Sequence, residues 1–474
     1  MMMDSKKSYN KSPSSIPITI YPGSGLTGEV HPANCIGLPG DKSISHRAVL
    51  LAAMAEGRSR LGNFSITGVT KVMLSALDEL NISWKLEGSS LIIQGVGLSP
   101  EFPSNHYSVK ASDIPFLINC GNSATTMRLL SGTLANWGVR ANLDGSESLR
   151  NRPMLRIVEP LQMMGVDIRA DNGHAPLEIY PSRLPLRALE YTLPIPSAQV
   201  KTCLLFAGLG ADGTTTLIEH GPTRDHTERM MRTMGVSIEC SQDSSISLYV
   251  TKLIPPNSGF LKPIDMEIPG DFSAAAFLVV AALVTPGSRI VIHNVGLNPT
   301  RTGLLDTLQD MGADIQITNL IERNRETIGD LVVNHSHLHS VHVSGDKVVR
   351  MIDEFPAFAV AAACAEGVSK VVEARELRYK ESDRISSMGT ELLKLGVQFS
   401  EMEDGFIING GLPFIGGDVD SHGDHRLAMA LSIAGLISQS PVTIEDSEII
   451  SESFPEFVPL LQQLGAKIHR CEKL

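Results

Sequence analysis

The sequence predicts an α/β protein of two domains, each built from three copies of one unit of helices and strands. Two observations carry this prediction. A short phrase of Met or Leu, then Gly or Asn, then alternating apolar residues recurs six times along the 474 residues. An apolar segment rich in small residues precedes each copy. Units of about 75 residues exceed the roughly 20–50 residues of a solenoid repeat, so we expect globular domains with full cores.

The recurring phrase marks the end of a helix and the beginning of a strand. Gly or Asn in the left-handed conformation ends a helix, and the apolar alternation that follows is typical of a strand. Successive copies are 69 to 84 residues apart, and the first copy is degenerate. The six copies are Leu80-Asn81-Ile82, Met164-Gly165-Val166-Asp167-Ile168, Met234-Gly235-Val236-Ser237-Ile238, Met311-Gly312-Ala313-Asp314-Ile315, Leu395-Gly396-Val397-Gln398-Phe399 and Leu464-Gly465-Ala466-Lys467-Ile468.

The segment before each phrase predicts a helix that is buried on all sides, because it is apolar on nearly every face. The six segments are 43–56, 122–135, 198–209, 272–284, 354–366 and 425–436. Each unit is then of the βαβαββ type. Three such units suit one domain, with the buried helices inside and the sheets outside.

The first buried helix begins in the segment Pro39-Gly40-Asp41-Lys42-Ser43-Ile44-Ser45-His46-Arg47. Pro and Gly mark a turn, and Asp41 or Ser43 can cap the helix. Lys42 and Arg47 lie in or just before the first turn, where free backbone N–H groups favour an anion. Two cations, a hydroxyl and a helix N-terminus together indicate a phosphate or carboxylate site. The alternative is a capped surface helix that happens to carry basic residues.

Cap residues stand at the start of every buried helix. If three units pack around an axis, their helix N-termini converge on one face, and two such faces enclose a positively biased cleft. Capping alone explains Gly270 and Asp271, but it does not explain Lys42, Gln199 or Arg426. We therefore expect an anion-binding cleft between the two domains.

Composition excludes several classes of protein. A net charge of −12 argues against general nucleic-acid binding. The chain has no uninterrupted run of about 18 apolar residues, which a membrane-spanning helix needs. Residues 1–15 form a polar tail without the apolar stretch of a secretory signal. Six cysteines without a C-x-x-C pair are typical of reduced thiols, so we expect a cytoplasmic protein.

Six motifs become specific when they are taken together. They are the segment 39–47 given above, Gly121-Asn122-Ser123-Ala124-Thr125-Thr126-Met127-Arg128-Leu129, Ser148-Leu149-Arg150-Asn151-Arg152-Pro153-Met154, Thr223-Arg224-Asp225-His226-Thr227-Glu228, Lys380-Glu381-Ser382-Asp383-Arg384 and Gly423-Asp424-His425-Arg426. In this order, over a sixfold repeat, they make residues 24–468 resemble the 5-enolpyruvylshikimate-3-phosphate (EPSP) synthases. That family comprises the 3-phosphoshikimate 1-carboxyvinyltransferases of aromatic amino-acid biosynthesis.

The resemblance implies a fold and an activity. The fold is that of the enolpyruvyl transferases, an inside-out α/β barrel in two domains with the active site in the interdomain cleft. One domain is discontinuous, residues 1–40 plus 269–474, and the inserted domain is residues 41–268. The implied activity is transfer of the carboxyvinyl group of phosphoenolpyruvate to the 5-hydroxyl of shikimate 3-phosphate, with release of phosphate. The resemblance implies neither a metal nor a cofactor, and we expect a monomer.

The resemblance also assigns roles to residues within these motifs and near them. The implied ligands of shikimate 3-phosphate are Lys42, Ser43, Arg47, Ser197, Ala198, Gln199, Arg224, Asp353 and Lys380. The implied ligands of phosphoenolpyruvate are Lys42, Asn122, Ala124, Arg152, Gln199, Arg384 and Arg426. The implied catalytic residues are Lys42, Asp353, Lys380 and Glu381. These types suit the chemistry, because two polyanions need fixed cations and addition followed by elimination needs groups that move protons.

Two positions depart from the family pattern. Ala124 stands where many members have Gly, so its methyl group is expected beside the phosphoenolpyruvate site. We expect this methyl group to weaken inhibition by glyphosate, the herbicide that occupies that site. Glu452 stands where part of the family has a lysine that contacts phosphoenolpyruvate, so this contact is not carried over. We expect Glu452 to face solvent or another cation.

Structural alternatives stay open for residues beside the implied ligands. Arg128, Arg150 and Asp383 could serve only domain packing or the ordering of ligand residues. His46 and His425 flank ligand residues, and we expect them to orient those neighbours rather than to catalyse the reaction.

Two rival functions also stay open. The sister enolpyruvyl transferase, which acts on UDP-N-acetylglucosamine, shares the fold and phosphoenolpyruvate. That family usually carries a reactive cysteine on a mobile loop, whereas Cys120 is the only cysteine between residues 61 and 196 and directly precedes a helix cap. A non-catalytic scaffold is the other rival, and the presence of Asp353, Glu381 and the arginines argues against it.

A histidine cluster offers a candidate metal site. His335, His337 and His339 would share one face of a strand, which is a spacing that can bind a metal ion. No Cys or carboxylate nearby completes the set, so a solvated strand or loop is the expected alternative.

Overall fold

Six four-stranded sheets surround two groups of buried helices in the described part of the chain. The computed structural model describes residues 16–23, 25–32, 36–99, 115–243, 245–257 and 259–470. The predicted polar tail, residues 1–15, lies outside these ranges. Within them, no helix is long and apolar enough to cross a membrane.

The elements follow one another in a regular succession of strands and helices. The first are β1 (Ile18–Tyr21), β2 (Thr27–Val30), α1 (Lys42–Met54), β3 (Glu56–Gly62), α2 (Gly68–Glu79), β4 (Trp84–Glu87) and β5 (Ser90–Val96). Next come β6 (Phe116–Asn119), α3 (Ala124–Trp137), β7 (Ala141–Asp144), α4 (Glu147–Arg150), α5 (Leu155–Met163), β8 (Asp167–Asp171), β9 (His174–Tyr180), β10 (Glu190–Thr192), α6 (Ala198–Gly208), β11 (Thr215–His220), α7 (His226–Thr233), β12 (Ser237–Asp243), β13 (Leu248–Ile254) and β14 (Asp265–Glu267).

The second half repeats the same succession. It comprises α8 (Phe272–Val284), β15 (Arg289–Gly296), α9 (Gly303–Asp310), β16 (Ile315–Arg323), β17 (Glu326–Asn334), β18 (His342–Val343), α10 (Asp346–Arg350), α11 (Phe355–Cys364), β19 (Val368–Val371), α12 (Arg384–Lys394), β20 (Gln398–Met402), β21 (Gly405–Asn409), β22 (Gly417–Asp420), α13 (His425–Leu436), β23 (Val442–Glu445), α14 (Phe457–Gln463) and β24 (Lys467–Arg470). Two 3₁₀ turns, Arg375–Tyr379 and Ser447–Glu452, precede α12 and α14.

All six sheets share one strand order, which β6-β7-β9-β8 illustrates. The first two strands of a unit are parallel, and they are joined through a buried helix because parallel strands require a crossover connection. The last strand of the unit then pairs antiparallel with both the second and the third. This order confirms the predicted βαβαββ repeat.

Three strands pair far from their neighbours in the chain. Strand β2 pairs in parallel with β15, and β14 pairs in parallel with β3. Strand β1 lies between β23 and β24 and completes the last sheet. The N-terminal segment therefore supplies strands to two sheets of the C-terminal half, an exchange that the repeat pattern did not predict.

The six predicted inner helices are buried as expected. They are α1, α3, α6, α8, α11 and α13, and all thirteen residues of α8 are buried. Small residues allow close approach within each group. A methyl group at Gly132 on α3 would lie only 2.1 Å from the carbonyl oxygen of Cys203 on α6, so the two helix backbones almost touch at this point.

Backbone conformations confirm the predicted helix ends. Asn or Gly in every copy of the recurring phrase has a positive φ, from +55° at Asn81 to +115° at Gly465. The helix starts differ from the prediction by at most two residues. Helix α3 begins at Ala124 because the Ser123 side chain accepts a hydrogen bond from the Thr126 backbone and is the N-cap.

The buried apolar side chains form two separate clusters. One contains residues between Ile44 and Ile268, and the other combines Ile18–Leu38 with residues from Phe272 to Ile468. The backbone passes between them at two adjacent places, where Asp41 N donates to the Pro269 carbonyl over 2.8 Å. We propose that these two cores correspond to the two predicted domains, residues 41–268 and residues 1–40 plus 269–474.

Candidate active site

Five of the six buried helices begin at the wall of a single cleft between the two cores. Residues at these helix starts are Lys42, Ser123, Ser197, Asp353 and His425. At the sixth helix start, Asp271 accepts a hydrogen bond from the Lys42 backbone N–H over 3.2 Å. The helix N-termini therefore bring their unpaired N–H groups to one place, which favours bound anions.

The structure gathers the predicted site residues around this cleft. Those that line it are Lys42, Ser43, Arg47, Asn122, Ala124, Arg152, Ser197, Ala198, Gln199, Arg224, Asp353, Lys380, Glu381 and Arg426. Arg384 lies behind the wall and is 1% exposed. Its guanidinium pairs with Asp424 at 2.7 Å and with Glu381 at 2.6 Å, and Asp424 in turn caps α13.

Asp353 is the most densely paired carboxylate in the cleft. It follows the short helix α10 and precedes the buried helix α11. Its oxygens lie 2.7 Å from Arg426, 2.5 Å from Arg224, 3.6 Å from Arg384 and 3.7 Å from Lys380. Burial alone would raise the pKa of Asp353, but these cations, Arg426 first, hold it well below its ordinary value. The carboxylate is therefore ionised.

Glu381 is the second carboxylate. It stands between the 3₁₀ turn Arg375–Tyr379 and α12, 2.6 Å from Arg384 and 3.7 Å from Arg152 of the opposite wall. Burial acts to raise the pKa of Glu381, and the two arginines outweigh burial and lower it well below the usual range. The pair with Arg152 crosses the cleft, as does the pair between Arg224 and Asp353.

Two lysines of the site have lowered pKa values. Burial lowers the pKa of Lys42, and the neighbouring Arg426 lowers it further. Burial also lowers the pKa of Lys380, with Arg384 acting in the same direction. Both amines thereby become more ready to give up a proton than an exposed lysine.

Arg47 organises one end of the cleft. Its Nε donates to Thr202 and Thr227, and its Nη atoms donate to the carbonyls of Ser43 and Ala198. Burial and the nearby Arg224 lower the pKa of Arg47 to about 10, so it stays charged at neutral pH. Arg224 donates to the Ser43 hydroxyl over 2.8 Å. Two guanidinium groups and a hydroxyl thus line the same end of the cleft.

Arg128 holds Gln199 in place. Its Nη1 donates to the Gln199 side-chain oxygen over 2.7 Å, and the Gln199 amide donates to Thr125 over 2.9 Å. The side chain of Arg128 also lines the cleft. Burial, with Arg156 and Arg152, lowers the pKa of Arg128 to about 9. Sequence reasoning left packing or the ordering of ligand residues open for Arg128, and this contact with Gln199 favours the ordering role.

Arg156 was missed in the sequence, although it follows Arg152 by only four residues and lies at the start of α5. It pairs with Glu376 of the opposite wall at 3.1 Å. The other two residues with open alternatives lie elsewhere. Arg150 forms an exposed ion pair with Asp144, and Asp383 caps α12.

Of the two alternatives expected for Glu452, the structure favours the one near cations. Glu452 is half-buried and lines the cleft instead of facing open solvent. Burial and the negative charge of Glu381 raise the pKa of Glu452, and Lys42 and Arg152 oppose this shift. The position where other members have a lysine therefore carries a carboxylate beside the same cations.

The two histidines beside the ligand residues are neutral. Burial lowers the pKa of His425 to about 3 and that of His46 to about 4. His46 donates from Nδ1 to the Lys42 carbonyl, which supports its predicted ordering role. His425 lines the cleft, and neither of its buried ring nitrogens has a hydrogen-bond partner.

Two other sequence candidates are resolved. Residues 335–338 lie in a loop after β17, and His339 forms an isolated bridge with Glu366. His335 donates to the Leu283 carbonyl over 2.7 Å. Among the described residues these three histidines do not form a group of close ligand atoms, so the strand or loop stays the preferred interpretation. Burial raises the pKa of Cys120 to about 12, so this thiol is not the reactive thiolate of the rival transferase.

The fold and the cleft together define a class of protein: a two-domain transferase that holds two anionic substrates between its halves. Residues 21–461 match the profile of the EPSP synthase (3-phosphoshikimate 1-carboxyvinyltransferase) family. The chain belongs to this family.

Named relatives agree with this assignment. The 3-phosphoshikimate 1-carboxyvinyltransferase of Coxiella burnetii (strain RSA 493 / Nine Mile phase I) is 42% identical over 94% of this chain and 97% of its own length. That of Thermodesulfovibrio yellowstonii is 44% identical over 93% of this chain and 97% of its own length. A solved EPSP synthase from Acinetobacter baumannii is 37% identical, with a TM-score of 0.80 over 96% of this chain and 100% of its own.

Proposed function

We propose that this enzyme transfers the enolpyruvyl group of phosphoenolpyruvate to the 5-hydroxyl of shikimate 3-phosphate and releases phosphate. The observation that carries the proposal is the set of cations from both halves around two buried carboxylates, Asp353 and Glu381. Family membership supports the choice of substrates. The rival acceptor UDP-N-acetylglucosamine is disfavoured, because Cys120 is buried with a raised pKa.

Shikimate 3-phosphate is assigned to the end of the cleft that Arg47 organises. The phosphate is proposed to bind Ser43, Arg47, Ser197, Ala198 and Arg224, with Lys42, Gln199, Asp353 and Lys380 contacting the remainder of the substrate. The geometry supports this assignment because Arg224 already donates to the Ser43 hydroxyl, and Arg47 donates to the Ala198 carbonyl. A guanidinium group binds phosphate well because it can donate two parallel hydrogen bonds to it.

Phosphoenolpyruvate is assigned to the other end. Its proposed ligands are Lys42, Asn122, Ala124, Arg152, Gln199, Arg384 and Arg426. Two of the arginines have buried N–H groups without a hydrogen-bond partner, Nη2 of Arg152 and Nη1 of Arg384. Buried donors of this kind gain most from an incoming carboxylate or phosphate.

Asp353 is proposed to accept the proton of the 5-hydroxyl while the oxygen of that hydroxyl adds to C2 of phosphoenolpyruvate. Arg224 and Arg426 now neutralise Asp353 directly. When substrate anions draw these arginines away, the pKa of Asp353 rises and the carboxylate becomes a better base. Without substrates, the two carboxylates of the cleft thus pair with the arginines that we propose to bind the substrate anions.

The proton at C3 of phosphoenolpyruvate requires a second group. We assign its delivery, and its later removal when phosphate leaves, to Glu381 with Lys42 and Lys380. The lowered pKa values of both lysines support a proton-transfer role. The net reaction then consumes no proton at C3, because one proton is added to C3 in the first step and one is removed from the resulting methyl group in the second.

Closure of the two halves is part of the proposal. Ion pairs between Arg152 and Glu381 and between Arg156 and Glu376 join the walls. We propose that shikimate 3-phosphate draws the halves together and completes the phosphoenolpyruvate site, which excludes water. X-ray scattering that shows no compaction on addition of shikimate 3-phosphate would count against this step.

We also propose that the enzyme is a cytoplasmic monomer. Every proposed ligand comes from one chain, so a second copy is not required for the site. Cys120, Cys203, Cys240 and Cys364 are unpaired, which suits a reducing compartment.

Phosphate release from phosphoenolpyruvate tests the function. We expect release with shikimate 3-phosphate as acceptor and none above background with UDP-N-acetylglucosamine. Arg150→Ala is the matched control, since Arg150 is exposed and pairs outside the cleft. Release with UDP-N-acetylglucosamine and not with shikimate 3-phosphate would overturn the proposal.

A further inference from the structure

A cluster of ligand-type side chains lies on the sheet of β2, β15, β17 and β16, away from the residues that line the cleft. Glu29 is on β2, His31 follows β2, and His293 is on the neighbouring strand β15. One carboxylate oxygen and two imidazole nitrogens from these residues all lie within 4.8 Å of one another. Nothing in the proposed reaction uses them.

The spacing suits a small metal ion. Oε2 of Glu29 lies 3.4 Å from Nε2 of His31 and 3.3 Å from Nε2 of His293. Neighbouring ligand atoms around tetrahedral zinc, at bond lengths of about 2.0–2.1 Å, lie roughly 3.3–3.4 Å apart. Two edges of the required tetrahedron are therefore present.

The third edge needs one movement. The imidazole rings of His31 and His293 are stacked, with centroids 4.4 Å apart and planes 8° from parallel. Their lone pairs meet at one ion only if one ring turns. The His31 side chain is 64% exposed, so solvent leaves room for this turn, whereas His293 is held by its hydrogen bond to Asp330.

An outer partner orients His293 for metal binding. Its Nδ1 donates to Asp330 over 3.0 Å, which leaves the Nε2 lone pair directed toward Glu29. Asp330 itself accepts hydrogen bonds from the Asn294 backbone and from the Asn319 side chain, each over 2.8 Å. A carboxylate behind a histidine is the usual arrangement in protein metal sites, because it selects the tautomer and the ring orientation.

Two β-bulges build this arrangement. The strand register shifts after Ile292 in β15 and after Thr318 in β16. Asn294 and Asn319 adopt positive φ values of +54° and +50° at these shifts. A bulge re-aims the side chains next to it, and here it turns His293 toward β2 while both asparagines reach Asp330.

We propose that Glu29, His31 and His293 bind a divalent transition-metal ion of the Zn²⁺ type. Two imidazole nitrogens favour such an ion over Mg²⁺ or Ca²⁺, which prefer oxygen ligands. Three protein ligands leave one coordination position for water. The ion would join the end of β2 to β15. This place is close to the segment that leads into α1, because the His31 carbonyl accepts a hydrogen bond from the Leu38 backbone. Its role is to stabilise the fold, and it does not take part in the reaction.

Zinc titration of the full chain tests the proposal. After EDTA treatment and removal of EDTA, isothermal titration calorimetry with ZnCl₂ should show saturable binding of one ion to the wild type. We expect at least tenfold weaker binding in His31→Ala and in Glu29→Gln. Zn²⁺ should raise the Tm of the wild type, and EDTA should reverse this rise. His337→Ala is the matched control, because it removes an exposed imidazole from a different loop and should leave the affinity unchanged.

Two outcomes overturn the proposal: no saturable Zn²⁺ binding, or equal affinity in the wild type and His31→Ala. Folding is not at risk in this variant, since His31 is exposed. Co²⁺ provides a second measurement. The wild type should give the intense visible bands of four-coordinate Co²⁺, and these bands should be absent in His31→Ala. Weak six-coordinate bands in the wild type would contradict the proposed ligand set.

Discussion

Replacing Arg301 by methionine is expected to destabilise both halves of the molecule. Arg301 precedes α9 and is 2% exposed. Its guanidinium pairs with Asp41 at 2.5 Å and with Asp271 at 3.2 Å. Asp41 caps α1 and Asp271 caps α8, so one cation joins the chain at both of its passages between the two cores.

The size of the loss follows from burial. Removing one partner of a buried ion pair costs about 3–5 kcal/mol, because the remaining charge stays desolvated. Both aspartates are nearly buried, and Glu354 lies 3.9 Å from the same guanidinium. Burial alone would raise the pKa of Asp271, and Arg301 is the largest opposing influence that keeps this pKa below its ordinary value. We expect Arg301→Met to lower the free energy of unfolding by about 3–5 kcal/mol. Arg301→Lys keeps the charge, and we expect it to lower the free energy of unfolding by about 1–3 kcal/mol.

Urea unfolding followed by two probes measures this loss. The chain has two tryptophans: Trp137 belongs to the core cluster between Ile44 and Ile268, and Trp84 packs against that cluster. Arg301 lies among the residues of the other half. Tryptophan fluorescence therefore reports whether the loss reaches the second core, and circular dichroism reports the whole chain. We expect both transitions to move to lower urea. We also expect kcat/KM to fall, since Asp271 holds the Lys42 backbone.

Arg350→Met is the matched control. Arg350 contacts the same segment through the Pro299 carbonyl and Thr302, and it pairs with Asp306 at 2.7 Å, but its side chain is 20% exposed. Arg350→Met should lower the free energy of unfolding by about 1 kcal/mol. The reasoning is refuted if Arg301→Met loses no more than the control, or if the fluorescence transition does not move.

Three further predictions concern the cleft. Ala124→Gly should tighten glyphosate inhibition at least tenfold with kcat/KM nearly unchanged, and sub-millimolar inhibition of the wild type that does not tighten would contradict this. Asp353→Asn should lower kcat by about 10²–10⁴-fold in the phosphate-release assay. Because the folded pKa of Asp353 lies below its ordinary value of 3.8, its carboxylate stabilises the protein at neutral pH. The difference in unfolding free energy between the wild type and Asp353→Asn should therefore shrink as the pH falls below about 4, and a difference that is constant with pH would refute this. Arg128→Lys should lower kcat/KM about tenfold with little change in Tm, because the variant loses the hydrogen bond that orients Gln199. Unchanged kinetics would show that Arg128 serves packing alone.

Local features of the chain were predictable because their causes are local. The left-handed residues that end the helices, such as Asn81 and Gly165, depend on the residue at that position. The full burial of α8 follows from its wholly apolar sequence. The convergence of helix starts followed from the repeat, because identical units packed around an axis present identical ends.

Long-range features were not predictable from the pattern. Strand pairing of β1 with β23 and β24, and of β14 with β3, joins segments hundreds of residues apart. The local sequence of a short strand does not determine which other strand it pairs with. The same limit applies to charges: the positions of Arg384 behind the wall and of Glu452 inside the cleft depend on how the units pack.

By itself, the sequence determined the repeated unit, the buried helices and the residue types that bind and react with two anions, because these depend on neighbours in the chain. Only the tertiary structure decided which strands complete which sheets and how the ion pairs balance one another. It shows that Asp353 is neutralised by Arg224 and Arg426, one from each half. The pKa of a buried carboxylate depends on the charges within a few ångströms of it, and those charges come together only when the two halves fold against each other.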